Sequence, residues 1–401
     1  MKKLLSSILM VTGTTIGGGM VLLPAVIGVY SYYSAIGILI AVWLVNTMIA
    51  LIFLEANCYL PAKTSLISMS RRLLGRYGEW TAWIVCLVFL YTIMCAYTTG
   101  MTEIISGFLE KNLLHVPSSY LSILSVITIS LPIYFGMTHI NVFNRFIVIS
   151  MFTAFFALTF FITPHIEISN LLAAPIHLPT MALPIVFTSF GFLIIIPSLR
   201  GYLNDNVKHL KISIIVGSFI PLIIYMLWVT VVIGAIPALG KDSLQTILAQ
   251  SEPVKNMANV LISHTGNLQI SFFIQIFILF AIASSFIGTS LGLYDFLADG
   301  LNISKSPIGK IKLLVLTFIP PLIIALTQNH LFITALGFAG LMSTILFGLY
   351  PVMLAWSGRY IHKLDTHYRV SANRSIFLLI VIFSFAVIGI ELLSLKVNFF
   401  Q

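Results

Sequence analysis

The polar groups best placed to do chemistry in this 401-residue chain lie in two short stretches set among apolar residues. The first is GTTIGGGM, residues 13–20, with Thr14, Thr15 and the run Gly17, Gly18 and Gly19. The second is TSFGF, residues 188–192, with Thr188, Ser189, Phe190, Gly191 and Phe192. Glycine weakens a helix and lets backbone pass where a side chain would clash. A helix unwound at such a point frees amide N–H groups at the positive end of the following half-helix, which suit a carboxylate. It also frees carbonyls that can hold a cation. Donors and acceptors at one depth are what a zwitterion needs. The glycines of the first stretch, taken alone, are also suited to close packing between membrane helices.

The remaining chemistry-bearing residues do not assemble into a catalytic set. There is no HExxH, GxSxG or phosphate loop, and the histidines are scattered among loops, which argues against an enzyme embedded in the membrane. His165 and His177, in TPHIEISNLLAAPIHLP, are too far apart to suggest a metal site. Cys58, Cys86 and Cys95 are odd in number and lie in or beside apolar segments, as inert buried thiols do. A channel would line its pore with repeated polar faces, whereas here polarity is focused at two points. Nothing calls for a cofactor, a resident metal or an obligate protein partner.

The elements that must carry these stretches are membrane spans. The chain is 59% hydrophobic and 8% charged, with a mean hydropathy of +1.05; a soluble domain carries about 25% charged residues. Apolar segments of membrane-crossing length occupy roughly 5–30, 33–55, 80–109, 119–137, 143–163, 182–200, 212–236, 269–298, 311–327, 331–355 and 375–396. MKKLLSSILMV resembles the opening of a signal peptide, but the apolar run continues to about Tyr30 without a small-x-small cleavage site, so it is read as the first span.

With the N-terminus in the cytoplasm, seventeen of the Lys and Arg residues fall in inner connections, and only Lys111, Lys241, Lys255 and Lys396 fall outside. That asymmetry is the positive-inside signature. It places the C-terminus in the periplasm and explains the net charge of +9 without a nucleic-acid partner. The expected partners are the lipid bilayer and a small molecule.

Interruptions at corresponding places in spans one and six are the mark of a carrier built from two inverted repeats. The expected fold is an all-α integral membrane protein of eleven spans. Residues 1–163 would form the first five-helix repeat and 182–355 the second, with 375–396 an added helix. The long connection GKDSLQTILAQSEPVKNMANVLISHTGN has helix-like stretches suited to a lid.

GTTIGGGM resembles the glycine-rich first helix of the amino acid–polyamine–organocation superfamily. LGRYGEW, FNRF, FTSFGF and GLYDFLAD, in that order, resemble the bacterial aromatic amino acid permeases. The resemblance implies a LeuT-type fold and proton-driven import of an aromatic amino acid, tyrosine foremost, across the bacterial inner membrane. It implies that the carboxylate meets the amides of Gly17, Gly18 and Gly19, helped by Thr14 or Thr15, and the ammonium the carbonyls near Thr188, Ser189 and Phe190. Phe190, Phe192 and Tyr97, the last on a helix that faces the cavity in this fold, would wall the side chain. Relatives often carry a histidine after the second aromatic of FGF; here it is Leu193, which bears on substrate choice.

No acidic residue stands at the expected midplane. Ser284 and Ser285 could hold a cation as a hydroxyl pair does in sodium-coupled members of this fold, so Na+ stands beside H+, and serine or threonine beside the aromatic substrates. Asp295, about 39 Å along the eighth span at 1.5 Å per residue, is a candidate for a cytoplasmic gate. Glu55 and Asp299 are expected at the cytoplasmic interface, Glu103 near the periplasmic edge, and Glu391 in local hydrogen bonds.

Overall fold

A computed structural model describes residues 2–62, 64–111, 116–172, 180–250, 252–304, 306–327 and 332–399; His177 lies outside them. All regular structure among these residues is helical. Among the described residues, ten helices are long and apolar enough to cross a membrane: Tyr32–Cys58, Leu66–Glu110, Ser118–Phe135, Val142–His165, Thr180–Tyr202, Val207–Ala235, Gln269–Gly300, Pro307–Thr327, Phe332–Ile361 and Arg374–Ser394. A bent pair ahead of them, Lys3–Thr15 and Gly18–Gly28, meets at 53° and makes the first of up to eleven spans. The chain is therefore a multi-pass membrane protein.

Several helices outrun the segments read from hydropathy, because a helix need not stop where the lipid does. The third begins at Leu66 and is interrupted at Gly75, whose φ of +78° is left-handed and suits glycine. The tenth runs on to Ile361 through two stretches of widened, π-type turns, Thr344–Leu349 and Ser357–Ile361.

Packing is dense around the third, seventh and eighth spans. The third lies against the eighth and tenth, the eighth against the fifth, and the seventh against the first and second. Trp228, Phe155 and Phe277, from the seventh, fifth and eighth spans, form a buried aromatic knot with centroids 5.1–6.1 Å apart. Tilted and edge-to-face ring pairs of this kind join three helices at one point.

The two ends are closed by different means. Between the seventh and eighth spans, Leu244–Ala249 and Pro253–Thr265 are helical, and Leu244, Ile247, Val254, Met257 and Leu261 are buried beneath them. A capping box at Ser243 and Thr246 starts the first of these helices.

At the opposite end, ion pairs hold the connection that follows the tenth span. Glu55, expected at the cytoplasmic interface, is fully buried by its protein neighbours. Its Oε1 accepts from Arg359 Nε and from the Tyr59 hydroxyl, both at 2.6 Å, and its Oε2 accepts the Val370 amide at 2.7 Å. A lone carboxylate that deep would be costly; with Arg359 Nη2 donating to Oε2 at 2.5 Å as well, four donors and a paired charge make it tenable. Beside it, Arg200 Nε donates to Asp205 at 2.6 Å and Nη1 to the Leu60 carbonyl at 2.6 Å. The Arg200 guanidinium holds the Asp205 carboxyl below its usual range.

Cys58, Asp205 and His367 converge near this cluster, the one such group of possible metal ligands among the described residues. Arg200 already takes both Asp205 oxygens, which disfavours a cation.

Candidate functional site

Both glycine-bearing stretches are breaks. The first half-helix ends at Thr15, a 3-10 turn covers Gly18–Met20, and a second half-helix runs over Leu23–Gly28. In the sixth span, helix ends at Ser189, Phe190–Phe192 are unwound, and helix resumes through Leu193–Ile195 into Ile196–Tyr202.

What the first break needs from glycine is room. Gly17 has φ −156° and ψ −167°, extended backbone open to any residue. A Cβ on Gly18, however, would lie 2.9 Å from Cε1 of Tyr97, and one on Gly19 would lie 2.9 Å from Oγ of Ser189. A Cβ on Gly17 would run into Oγ of Ser285. Three consecutive glycines thus let one strip of bare backbone touch the third, sixth and eighth spans at once.

The two breaks meet. Gly19 faces Ser189, and the fully buried Tyr225 of the seventh span bridges them. Its hydroxyl lies 2.7 Å from the Thr15 carbonyl oxygen and 2.8 Å from that of Ser189, donating to the pair. These are carbonyls that helix termination leaves without intrahelical partners. The Phe190 ring packs on Tyr225 at 5.2 Å. From the eighth span, Ser285 accepts the Gly18 amide at 2.9 Å. Among the described residues, the amides of Gly17 and Gly19 enter none of the hydrogen bonds that close the break.

The candidates divide accordingly. Gly17, Gly18, Gly19, Tyr97, Ser189, Phe190 and Ser285 come together, with Phe192 and Leu193 buried just beyond. Thr14 does not join them: it is exposed and its hydroxyl donates back to the Met10 carbonyl. Thr15 is buried but likewise donates within its own helix, to Val11. Thr188 turns to the tenth span, where its hydroxyl meets Ser343 at 2.9 Å. Its carbonyl accepts the Gly191 amide at 2.9 Å, and that of Ser189 accepts Tyr225. Two of the three carbonyls expected to face an ammonium are thus already engaged.

The serine pair of the eighth span is parted. Ser285 faces the first break, while the Ser284 hydroxyl donates to Asn144 of the fifth span at 3.4 Å. Neighbours on a helix point about 100° apart, and here the two hydroxyls are turned to different spans. Asp295 sits about 15 Å further along the same helix, away from the breaks.

Gly13 and Gly292, on the first and eighth spans, are exposed, and a Cβ on either would meet nothing within 4 Å. The breaks themselves are closely packed, with Phe190, Phe192 and Leu193 at most 1% exposed.

Tyr225 was not singled out from the sequence. A lone tyrosine in the apolar run FIPLIIYMLW was a signal, since a buried phenol needs an acceptor. Nothing in the sequence, though, said the acceptors would be carbonyls of two other spans.

Paired breaks in touching helices, inside a bundle of apolar spans, are the arrangement expected of a membrane carrier. Residues 1–391 match the model of the tryptophan/tyrosine permease family, and the chain belongs to that family. It is 34% identical over 369 residues to tyrosine-specific transport system 1 of Haemophilus influenzae, covering 90% of each chain. It is 30% identical to the low affinity tryptophan permease of Escherichia coli, covering 88% of this chain and 86% of that one. To the tryptophan-specific transport protein of Haemophilus influenzae it is 27% identical, with 89% and 88% covered.

Proposed function

We propose that the protein imports an aromatic amino acid across the bacterial inner membrane by proton symport and alternating access, with tyrosine preferred and tryptophan or phenylalanine accepted. The observation that carries this is the meeting of two backbone breaks under one bridging tyrosine. The Gly17 and Gly19 amides receive the substrate carboxylate. The ammonium meets the Phe190 carbonyl and whichever of Thr188 and Ser189 is released by Tyr225 or Gly191. Tyr97, Phe190 and Phe192 enclose the ring. Unsatisfied backbone at membrane depth is tolerable only around such a site.

The packing supports a LeuT-type arrangement of two inverted five-helix repeats, residues 1–163 and 182–355. The third span lies on the tenth as the eighth lies on the fifth, and the seventh lies on the first as the second lies on the sixth. These are the pairings a two-fold axis relating span one to six would generate. The helix at 375–396 stands outside both repeats. With the N-terminus cytoplasmic, as the distribution of Lys and Arg favours, the exposed Gly13 lies towards the inner side of the first break and the helices after Leu244 cover the outer face.

Sodium coupling through Ser284 and Ser285 is less favoured, because only Ser285 is turned to the first break.

The test is uptake of labelled tyrosine by the purified protein in sealed liposomes. A proton gradient alone should drive saturable accumulation, competed by tryptophan and phenylalanine and not by serine or threonine. Accumulation that requires sodium would overturn the coupling; strong competition by serine would overturn the substrate class; conductance without saturation would overturn the carrier.

A further inference from the structure

The adjoining ends of the tenth and eleventh spans, with the connection between them, enclose a recess of about 460 Å³ lined by Arg359, Tyr360, Arg369, Ser371, Asn373 and Arg374. That volume is in the range of small-ligand pockets. No carboxylate is among the lining residues, and Glu55, the acid behind it, is already taken by Arg359. Arg369 and Arg374 are exposed and form no ion pair or hydrogen bond among the described residues. Two positive charges therefore converge on one space without a counter-charge.

The wall of the recess is held in place from behind. Arg359 Nη1 donates to the Ala372 carbonyl at 2.7 Å and Nη2 to that of Val370 at 2.8 Å, which pins the connection to the bundle. The amides of Ser371, Asn373 and Arg374 enter no hydrogen bond among the described residues. The Arg374 guanidinium lies over the Tyr360 ring, 4.9 Å from its centroid, and 6.0 Å from that of Trp356. A guanidinium held over a ring uses its face and keeps its N–H edges for an acceptor. Those edges match two oxygens of a phosphate at once, which an ammonium cannot do. The positive-inside rule accounts for basic residues anywhere in an inner connection. It does not require two of them on one recess, one of them over an aromatic ring.

Beside the recess the protein presents a surface for lipid. Trp356 is 38% exposed, and Met353, one turn before it, is 47% exposed. From Arg374 onward the eleventh span shows a stripe of Leu378, Ile382 and Phe385, each 56–60% exposed. An apolar face with an aromatic and basic recess at its edge matches a phospholipid, acyl chains on the face and headgroup in the recess.

We propose that this recess binds the phosphate of an anionic phospholipid headgroup from the inner leaflet, with Arg369 and Arg374 as its ligands. The phosphate supplies the missing counter-charge and joins the connection to the start of the eleventh span, the helix outside both repeats. The site goes beyond the transport reading and takes from it only the orientation given by Lys and Arg.

The experiment titrates the purified full-length protein, in a neutral detergent, with dioleoylphosphatidylglycerol, dioleoylphosphatidylcholine or glycerol 3-phosphate and follows its melting temperature. Phosphatidylglycerol should raise it saturably; the other two, at the same concentrations, should not. In Arg369→Gln/Arg374→Gln the phosphatidylglycerol concentration giving half the rise should increase at least about tenfold, the size expected from two arginines facing a charged lipid. A second pair, Arg72→Gln/Arg76→Gln, removes equal charge from exposed residues of another inner connection and should leave that concentration unchanged.

Equal protection by the two lipids would overturn the site. That outcome needs no substitution, so poor folding of a variant leaves the test intact. An unchanged midpoint in the first pair would overturn it as well, and an equal loss in the second would do so by showing diffuse attraction to the surface. Protection by glycerol 3-phosphate that is lost in the first pair would assign the recess to a soluble anion and overturn the lipid. Failure of tyrosine uptake would count against the carrier reading and leave this titration untouched.

Discussion

The two breaks reach the same end with opposite residues. In the first span, three glycines remove every side chain, so backbone can lie against Tyr97, Ser189 and Ser285. In the sixth, Phe190 and Phe192 flank a single glycine, and both rings are fully buried. One break is made by absence of bulk, the other is wedged open by it. On the proposed function this contrast is a division of labour: bare amides would recognise the part that every amino acid shares, and the aromatic break would be free to vary with the side chain being carried.

The largest effect expected from that contrast is at Gly18. Gly18→Leu must drive a branched side chain into the Tyr97 ring and Ile282, and uptake should fall at least about a hundredfold, as misplacement by an ångström can cost. Membrane levels should stay near normal. Uptake at the parent rate would end the view that this backbone strip is the recognition site.

Phe192→Ala sharpens the other half. Truncating a buried Phe costs about 3–5 kcal/mol, so the purified variant should melt several degrees lower. If the sixth break sets preference, the ratio of tyrosine to serine competition should also shift, whereas a lower melting point with an unchanged ratio would leave Phe192 as packing alone.

Tyr225→Phe removes the hydroxyl that joins the breaks and leaves two buried carbonyls unmet, each costing about 1–3 kcal/mol. Uptake should drop about tenfold with binding of both aromatic and non-aromatic competitors weakened together. A loss confined to aromatic competitors would mean that the ring contact with Phe190 matters and the bridge does not.

The smallest effect is reserved for a site remote from both breaks. Asp205 has its carboxyl held below the ordinary 3.8 by Arg200, so the pairing stabilises the folded state above that value and is lost as pH falls through the lowered one. Asp205→Asn should lower the melting temperature slightly at pH 7, and the gap should close as pH drops below about 4. Its side chain is 40% exposed, and solvent screening keeps the effect small. Uptake changing more here than at Tyr225 would invert the ranking of the regions.

The spans were legible in the sequence because lipid imposes a length and a composition, and both breaks were legible because glycine and hydroxyls are conspicuous in apolar surroundings. What could not be read was direction. Ser284 and Ser285 are adjacent in sequence, yet one meets Gly18 and the other Asn144. Thr14 and Thr15 diverge in the same way, one exposed and one buried. Glu55 ends an apolar run, which marks a span's edge but not its partner; Arg359 is about three hundred residues on and pairs with it only in the folded chain.

Hydropathy, glycine and charge asymmetry, all local or summed properties, were enough to determine a multi-pass membrane chain broken at the first and sixth spans. Tertiary structure alone decided that the breaks touch, that Tyr225 joins them, and that Glu103 caps a helix of the lid through the Val254 amide. Those facts depend on which faces of separate helices meet. No local property encodes that, because each contact brings together atoms whose positions are fixed only by packing of the whole bundle.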